Sequence, residues 1–176
     1  LSPDGMKHYS MAMMSGELFE IDAASLTLTR KLFVGKEMMG MGHDHHAMMN
    51  HAEKNGKPGA DHKMPAEKPT WVYPHPNQKT VFVANNGTNE IVEVDLEAWK
   101  VTRRFETAPG PYNVEISLDG KYLVATYKSD ASTGIWDLKK GKELAKIDNT
   151  RKVSHGVVIS PDSTINIVEF KVCVLP

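Results

Sequence analysis

The chain is organised by an internal repeat with a period of about 42 residues. Three segments share one template, and they begin SPDGMKHYS, HPNQKTVFV and SLDGKYLVA. In each, the second template residue lies 19 positions before an aspartate: Pro3 to Asp22, Pro76 to Asp95 and Leu118 to Asp137. A fourth copy begins at SPDSTINIVEF. Self-similarity at such a period is typical of solenoids and propellers, so it constrains the fold more than any local motif does.

Within each unit, short runs rich in β-branched and aromatic residues alternate with turn residues. TVFVANN and EIVEVDL are such runs, and Asn-Gly, Asp-Gly or Lys-Lys-Gly steps bound them. These features predict strands, because β-branched side chains suit a pleated surface and these turn residues tolerate positive φ angles. The strands predicted for the second unit are about 70–75, 80–85, 90–95 and 100–106, and those for the third are 112–117, 122–127, 133–138 and 143–148.

Four strands per unit at this period predict an all-β fold, a partial β-propeller in a single domain, 1–176. The units are about 1–35, 69–110, 111–152 and 153–176. The first lacks its first strand and the fourth stops after its second, which gives about 3.5 four-stranded blades with one long loop insertion. Closed propellers need at least four blades. We therefore expect either a longer chain or a protein partner, such as a second chain, that completes the propeller.

The turn-and-strand pattern SPDGK.L.V followed by I.V.DL resembles the YVTN-type propeller repeats of bacterial exported proteins. The strongest matches are SLDGKYLVATY with GIWDL, and KTVFVANNGTNEIVEVDL. Asn77-Gln78 and Ser163 depart from the Asp-Gly that this family usually has. The resemblance implies a periplasmic or extracellular protein of a diverse and often non-enzymatic family.

Composition narrows the function classes. The net charge is −1, with 21 basic and 22 acidic side chains, so nothing favours nucleic acid or an anionic membrane as partner. No apolar run is long enough for a transmembrane helix. The lone Cys173 excludes an intramolecular disulfide. No nucleophile, phosphate-loop or zinc-protease motif is present, which argues against an enzyme without deciding the question.

A Met/His-rich insertion interrupts the repeat. Leu32 lies 44 positions before Pro76, whereas the equivalent steps elsewhere are 13 and 14, so about 30 residues are inserted, at 37–67. Imidazole suits copper and zinc, and thioether sulfur favours Cu(I), so a copper-binding loop is predicted. The alternative is a compositionally biased, disordered insertion with incidental metal affinity. The candidate ligands are Met38, Met39, Met41, His43, His45, His46, Met48, Met49, His51 and His62.

Superposing the units predicts a second site beside the central channel. Thr70, Tyr112 and His155 share one repeat position at the start of the innermost strand, and Trp71 and Asn113 share the next. Different side chains at equivalent positions suit a binding surface, so all five are candidate channel-face residues. His155 is also a candidate ligand for a metal or haem, by analogy with propellers that bind haem. The alternative is a channel-lining histidine that hydrogen-bonds to backbone or water.

These features predict a non-enzymatic exported β-propeller that acts as a binding or scaffold protein, with a Met/His-rich loop that binds copper. A second hypothesis is an accessory subunit of a redox enzyme or electron-transfer complex, in which the propeller is the docking platform. A third is an oxidoreductase propeller whose remaining blades and cofactor ligands lie outside this sequence.

Overall fold

The computed structural model describes residues 1–36, 66–150 and 153–162. In these ranges the chain forms eleven β-strands and no α-helix, so the all-β prediction is confirmed for them. The strands make three antiparallel sheets of three, four and four strands. Over the same ranges, no helix has the length and apolarity that crossing a membrane requires.

Strands that follow one another in sequence are neighbours in each sheet. The first sheet is β1 (Lys7–Ala12), β2 (Glu17–Asp22) and β3 (Leu28–Phe33). The second is β4 (Pro69–Pro74), β5 (Thr80–Asn85), β6 (Glu90–Asp95) and β7 (Lys100–Glu106). The third is β8 (Pro111–Ile116), β9 (Tyr122–Tyr127), β10 (Ser132–Asp137) and β11 (Lys142–Asp148). The eight strands predicted for the second and third units are thus confirmed to within one residue at each end.

The sheets pack face to face through alternating residues of their middle strands. In β5, Val81 and Val83 join a buried cluster that includes residues of the first sheet, whereas Phe82 and Ala84 join a cluster with the third. Successive side chains of a strand point to opposite faces, so one apolar strand supplies both interfaces. Because both of its faces are covered, β5 is a nearly continuous apolar run rather than an alternating one.

Neighbouring sheets also meet along their first strands. β4 contacts β8, the equivalent strand of the next unit. β4 also contacts β1, and β8 contacts β5; β1 and β5 are both the second strand of their four-stranded repeat unit. The same contact therefore recurs between the first and second sheets and between the second and third. This arrangement is consistent with a partial propeller-like fold.

The turns that precede β1 and β9 are built from short polar side chains. Ser117 Oγ donates to Asp119 Oδ1 (2.6 Å) and accepts the Tyr122 N–H (3.0 Å). Ser2 makes the equivalent contacts with Asp4 and the Lys7 N–H, at 2.6 and 2.9 Å. Such side-chain-to-backbone bonds stabilise a turn locally, which explains why the SPDG and SLDG signatures recur.

The fourth unit differs from its prediction. Residues 153–162 contain no strand, because the described part of the chain offers them no hydrogen-bonded ladder partner. The segment is nevertheless packed: Val157 and Ile159 lie against Val124 of the third sheet, and the Ile159 N–H donates to the Glu115 carboxylate at 2.9 Å. The second strand predicted for this unit lies outside the described residues.

Candidate functional site

The predicted copper ligands lie outside the described residues. They are Met38, Met39, Met41, His43, His45, His46, Met48, Met49, His51 and His62. Within ranges 1–36, 66–150 and 153–162, no group of three or more His, Cys, Asp or Glu side chains is arranged to hold a metal ion. The structure does describe the residues on either side of the insertion, 34–36 and 66–68, which we call the insertion base.

Arg104 of β7 holds the incoming end of the insertion base. Its guanidinium donates to Val34 O (3.2 Å) and Gly35 O (2.6 Å), and also to Glu90 Oε1 (2.8 Å). Lys36 Nζ lies 3.9 Å from the other oxygen of the Glu90 carboxylate. A guanidinium presents several donors in a fixed geometry, so one side chain can bind two carbonyls and a carboxylate at once.

The outgoing end is held by the β5–β6 turn. Glu67 O accepts the Gly87 N–H (2.8 Å) and Lys68 O accepts the Asn86 N–H (3.2 Å). A Cβ at Gly87 would collide with the Ala66 carbonyl oxygen, so only glycine permits this approach. The two ends also touch each other, since a Cβ at Gly35 would collide with the Glu67 side chain. Hence the insertion leaves and rejoins the fold at one place.

Glu90 is the buried charge of the insertion base. It is 2% exposed and accepts hydrogen bonds from the Thr88 hydroxyl (3.1 Å) and Asn85 Nδ2 (3.4 Å) in addition to Arg104. Asn85 Oδ1 is buried and has no hydrogen-bond donor among the described residues. The cluster is therefore an ion pair supported by polar neighbours, which is the condition under which a buried charge is tolerated.

The structure brings three predicted channel-face residues into one row. Thr70 Oγ1 donates to Tyr112 O (2.8 Å), and the ring of Tyr112 lies 4.7 Å from that of His155, tilted by 51°. Lys128 Nζ sits 4.9 Å from the centroid of the Tyr112 ring. We call Thr70, Tyr112 and His155 the channel row. It joins neighbouring units side by side and carries a phenol, an imidazole and a nearby ammonium group.

The other two predicted channel-face residues lie in different environments. Asn113 is 7% exposed, and its backbone N–H donates to Thr126 Oγ1 at 3.2 Å, so its side chain is largely withdrawn from solvent. Trp71 is 40% exposed. The exposed indole of Trp71, beside the channel row, offers an apolar contact surface. Asn113 is instead buried within the third sheet.

Glu115 is a polar residue of this face that the sequence interpretation missed. It accepts hydrogen bonds from the Ile159 N–H (2.9 Å) and the Tyr73 hydroxyl (3.4 Å). Burial raises the pKa of Glu115 above its ordinary value, and these two hydrogen bonds oppose the rise without cancelling it. Tyr73 and Glu115 occupy one repeat position, three residues after Thr70 and Tyr112, so the superposition that gave the channel row could have found them.

Glu115→Gln is expected to flatten the dependence of stability on pH. The folded-state pKa of Glu115 lies above the unfolded one, so its contribution is fully present below the ordinary pKa of 4.5 and is lost as pH rises through the folded value. The variant should gain stability relative to wild type as pH rises from 4 towards neutrality, as urea unfolding at several pH values would measure. Exposed Glu97→Gln is the control, and identical pH profiles for wild type and Glu115→Gln would contradict the prediction.

Comparisons with known proteins add a fold likeness. No family model matches the sequence, and no curated protein matches it. Among solved structures, the chain is similar to hydrazine synthase of Kuenenia stuttgartiensis, with a TM-score of 0.54 and 23% sequence identity. The match covers 62% of this chain and 31% of that chain, so this chain spans less than a third of that protein's length. The likeness concerns the fold alone.

Proposed function

We propose that this chain belongs to an exported β-propeller that acts as a binding scaffold and displays a copper-binding Met/His-rich loop. One observation carries the proposal: both ends of the insertion are fixed at the same place, through Arg104 on one side and Gly87 on the other. A scaffold that fixes both ends of a ligand-rich segment keeps its donors close together, and this lowers the entropy lost when they converge on a metal ion.

The propeller itself is part of the proposal. Support comes from the 42-residue period, the three sheets of sequential antiparallel strands and the contact of β1 with β4, which recurs between β5 and β8. We assign about 3.5 blades of YVTN type to this sequence. Further blades, from a longer chain or from a partner, would complete the ring, and the YVTN resemblance supports a periplasmic or extracellular location.

The side-chain chemistry of the insertion favours copper over other metals. Five histidines and six methionines lie within residues 37–67, so the segment offers imidazole for Cu(II) and thioether for Cu(I). A fixed structural zinc site would instead have four defined ligands at rigid spacing. Both oxidation states of copper can thus be held by one segment.

Titration with Cu(I) and Cu(II) tests the proposal. The full chain should bind copper stoichiometrically, and replacing His43, His45, His46 and His51 by alanine should weaken Cu(II) binding while leaving Cu(I) binding by the methionines largely intact. Isothermal titration, with a competing chelator for Cu(I), measures both. His8→Ala, an exposed histidine of β1, is the matched control. Equal and weak affinities in wild type, the four-histidine variant and a variant lacking residues 38–64 would overturn the proposal.

A second candidate function rests on the channel row. An aromatic ring, an imidazole and an ammonium group meet at Tyr112, His155 and Lys128, which suits docking of a redox partner or contact with a haem. In that case the chain is an accessory subunit of a redox enzyme or electron-transfer complex. A visible-absorbing cofactor in the purified protein, lost in His155→Ala, would favour this function; a colourless protein that takes up stoichiometric copper would favour the first.

A further inference from the structure

A cleft of about 360 Å³ opens between the first and second sheets, on the side of the SPDG turn. Its walls combine apolar rings and chains with charged groups. The lining side chains include Ser2, Lys7, Tyr9 and Arg30 of the first sheet's unit and Gln78 and Leu96 of the second. A volume in this range is sufficient for a small organic molecule.

The repeat shows how the cleft arises, because the equivalent place between the second and third sheets is filled. There, His75 stands where the first unit has Ser2, and its Nε2 bonds to Gly120 O at 3.0 Å. The His75 ring lies 6.3 Å from that of Phe82. At the first interface the short Ser2 side chain leaves this space open, and Gln78 stands where the second interface has Gly120.

Two further differences place unused donors in the cleft. Tyr9 occupies the repeat position of Phe82, so the first interface has gained a hydroxyl. Tyr9 is only 7% exposed and lines the cleft, and its hydroxyl has no hydrogen-bond partner among the described residues. Gln78 adopts a φ of 59°, a left-handed conformation that is strained for a residue other than glycine. Gly5 and Gly120 share this positive φ at the same repeat position, so the turn requires it, and the second unit is the one that carries a side chain there, that of Gln78.

Arg30 supplies a third donor. Its Nε and Nη2 bind the Glu20 carboxylate at 3.1 and 2.5 Å, and its guanidinium lies 4.1 Å from the centroid of the Trp99 ring. In the second interface the equivalent Arg103 also binds Glu93 but uses Nη1 for Leu138 O, at 2.8 Å. Within the described residues, Nη1 of Arg30 donates to no acceptor, so it is available to a ligand.

Burial raises the pKa of Tyr9 to about 12, with the negative charge of Glu20 adding to the rise. The hydroxyl is therefore protonated throughout the physiological pH range and acts as a donor. Lys7 Nζ lies 4.0 Å from Glu20 and 3.6 Å from Asp22, which are loose ion pairs that leave ammonium protons for a further acceptor. The cleft thus presents a phenol O–H, a guanidinium N–H and an ammonium group to a ligand.

We propose that this cleft binds a small organic carboxylate, with its oxygens accepting from Tyr9, Arg30 and Lys7 and its apolar body against Pro74 and Leu96. The donors select an anionic oxygen ligand. The carboxylates of Asp4 and Glu20 offset the two cations, so the cleft carries no excess positive charge for a dianion such as phosphate. A monocarboxylate with an apolar group satisfies both conditions.

Benzoate, acetate and inorganic phosphate are the probes, added to the full chain with backbone amide chemical shifts as readout. Benzoate should shift the amides of Tyr9 and Gln78 saturably, acetate more weakly and phosphate not at all. Tyr9→Phe, which copies Phe82, should weaken benzoate at least about tenfold, since a hydrogen bond to a charged group is lost. Tyr73→Phe is the matched control and should leave the affinity unchanged.

Ser2→His provides an independent variant, because it copies His75 into the first unit and should fill the cleft. It should abolish benzoate binding, at a cost in stability, because Gln78 carries a Cβ where Gly120 has none. The double variant Ser2→His/Gln78→Gly copies both partners of the second interface, so it should also abolish binding while the protein unfolds at the same or a higher urea concentration than Ser2→His alone. Benzoate shifts that persist in both Tyr9→Phe and Ser2→His would overturn the proposal. So would the absence of saturable shifts in the wild type, or phosphate binding as tight as benzoate.

Discussion

Arg104→Met is expected to lower the free energy of unfolding by about 3–5 kcal/mol, because it leaves the Glu90 carboxylate buried without its cation. Glu90 is 2% exposed and its ion pair with Arg104 spans 2.8 Å. The same substitution removes the hydrogen bonds to the carbonyls of Val34 and Gly35. Breaking one partner of a buried pair costs far more than the pair contributes, so this should be among the most damaging single changes in the chain.

Urea unfolding of three variants separates the buried ion pair from a general charge effect. Lys36→Met removes a cation that is 3.9 Å from Glu90 but has a 70% exposed side chain, and it should change stability little. The double variant Glu90→Met/Arg104→Met should recover most of the loss, since apolar replacement of a buried pair is often neutral or stabilising. An Arg104→Met loss no larger than that of Lys36→Met would contradict the expectation.

Strand positions were predictable because local chemistry fixes them. β5 and β9 have apolar, β-branched and aromatic runs bounded by turn residues, and both lie where the sequence placed them. The recurring aspartates act just as locally: Asp95 Oδ1 accepts the backbone N–H groups of Glu97 and Ala98, at 2.9 and 2.7 Å. Interactions within a few residues of each other can be inferred from the order of residues alone.

Contacts between distant parts of the chain were not predictable in this way. Arg104 binds the carbonyl of Val34, 70 positions away, and nothing in its neighbours marks it apart from Arg103. Burial raises the pKa of Glu115, and the Ile159 N–H that opposes the rise lies 44 positions away, so both effects depend on how the units pack. Asn113 shares a repeat position with exposed Trp71 yet is buried. Residues at the same repeat position share backbone geometry, but the burial of their side chains depends on the unit that packs against them.

Gly120→Ala is expected to lower the free energy of unfolding by about 2–4 kcal/mol through two separate effects. Gly120 has a φ of 71°, where any Cβ is strained, and a Cβ there would lie 2.6 Å from His75 Cε1. His75 is held in place at both nitrogens: Nδ1 accepts the Asn77 N–H at 3.0 Å, so Nε2 carries the proton that it donates to Gly120 O. The new methyl group must therefore displace a fixed ring.

Gly5 is the matched control that the repeat provides. It occupies the same repeat position and has a φ of 73°, and its Cβ would have no atom of the described residues within 4 Å. Gly5→Ala should therefore cost only the backbone strain, about 1–2 kcal/mol. In a His75→Ser background, which recreates the arrangement of Ser2, Gly120→Ala should become as mild as Gly5→Ala. The two glycines differ in the side chain that faces the added Cβ. Equal losses of stability in the wild-type background would therefore mean that the His75 ring moves aside at little cost. The space left by Ser2 would then not by itself explain the cleft between the first two sheets.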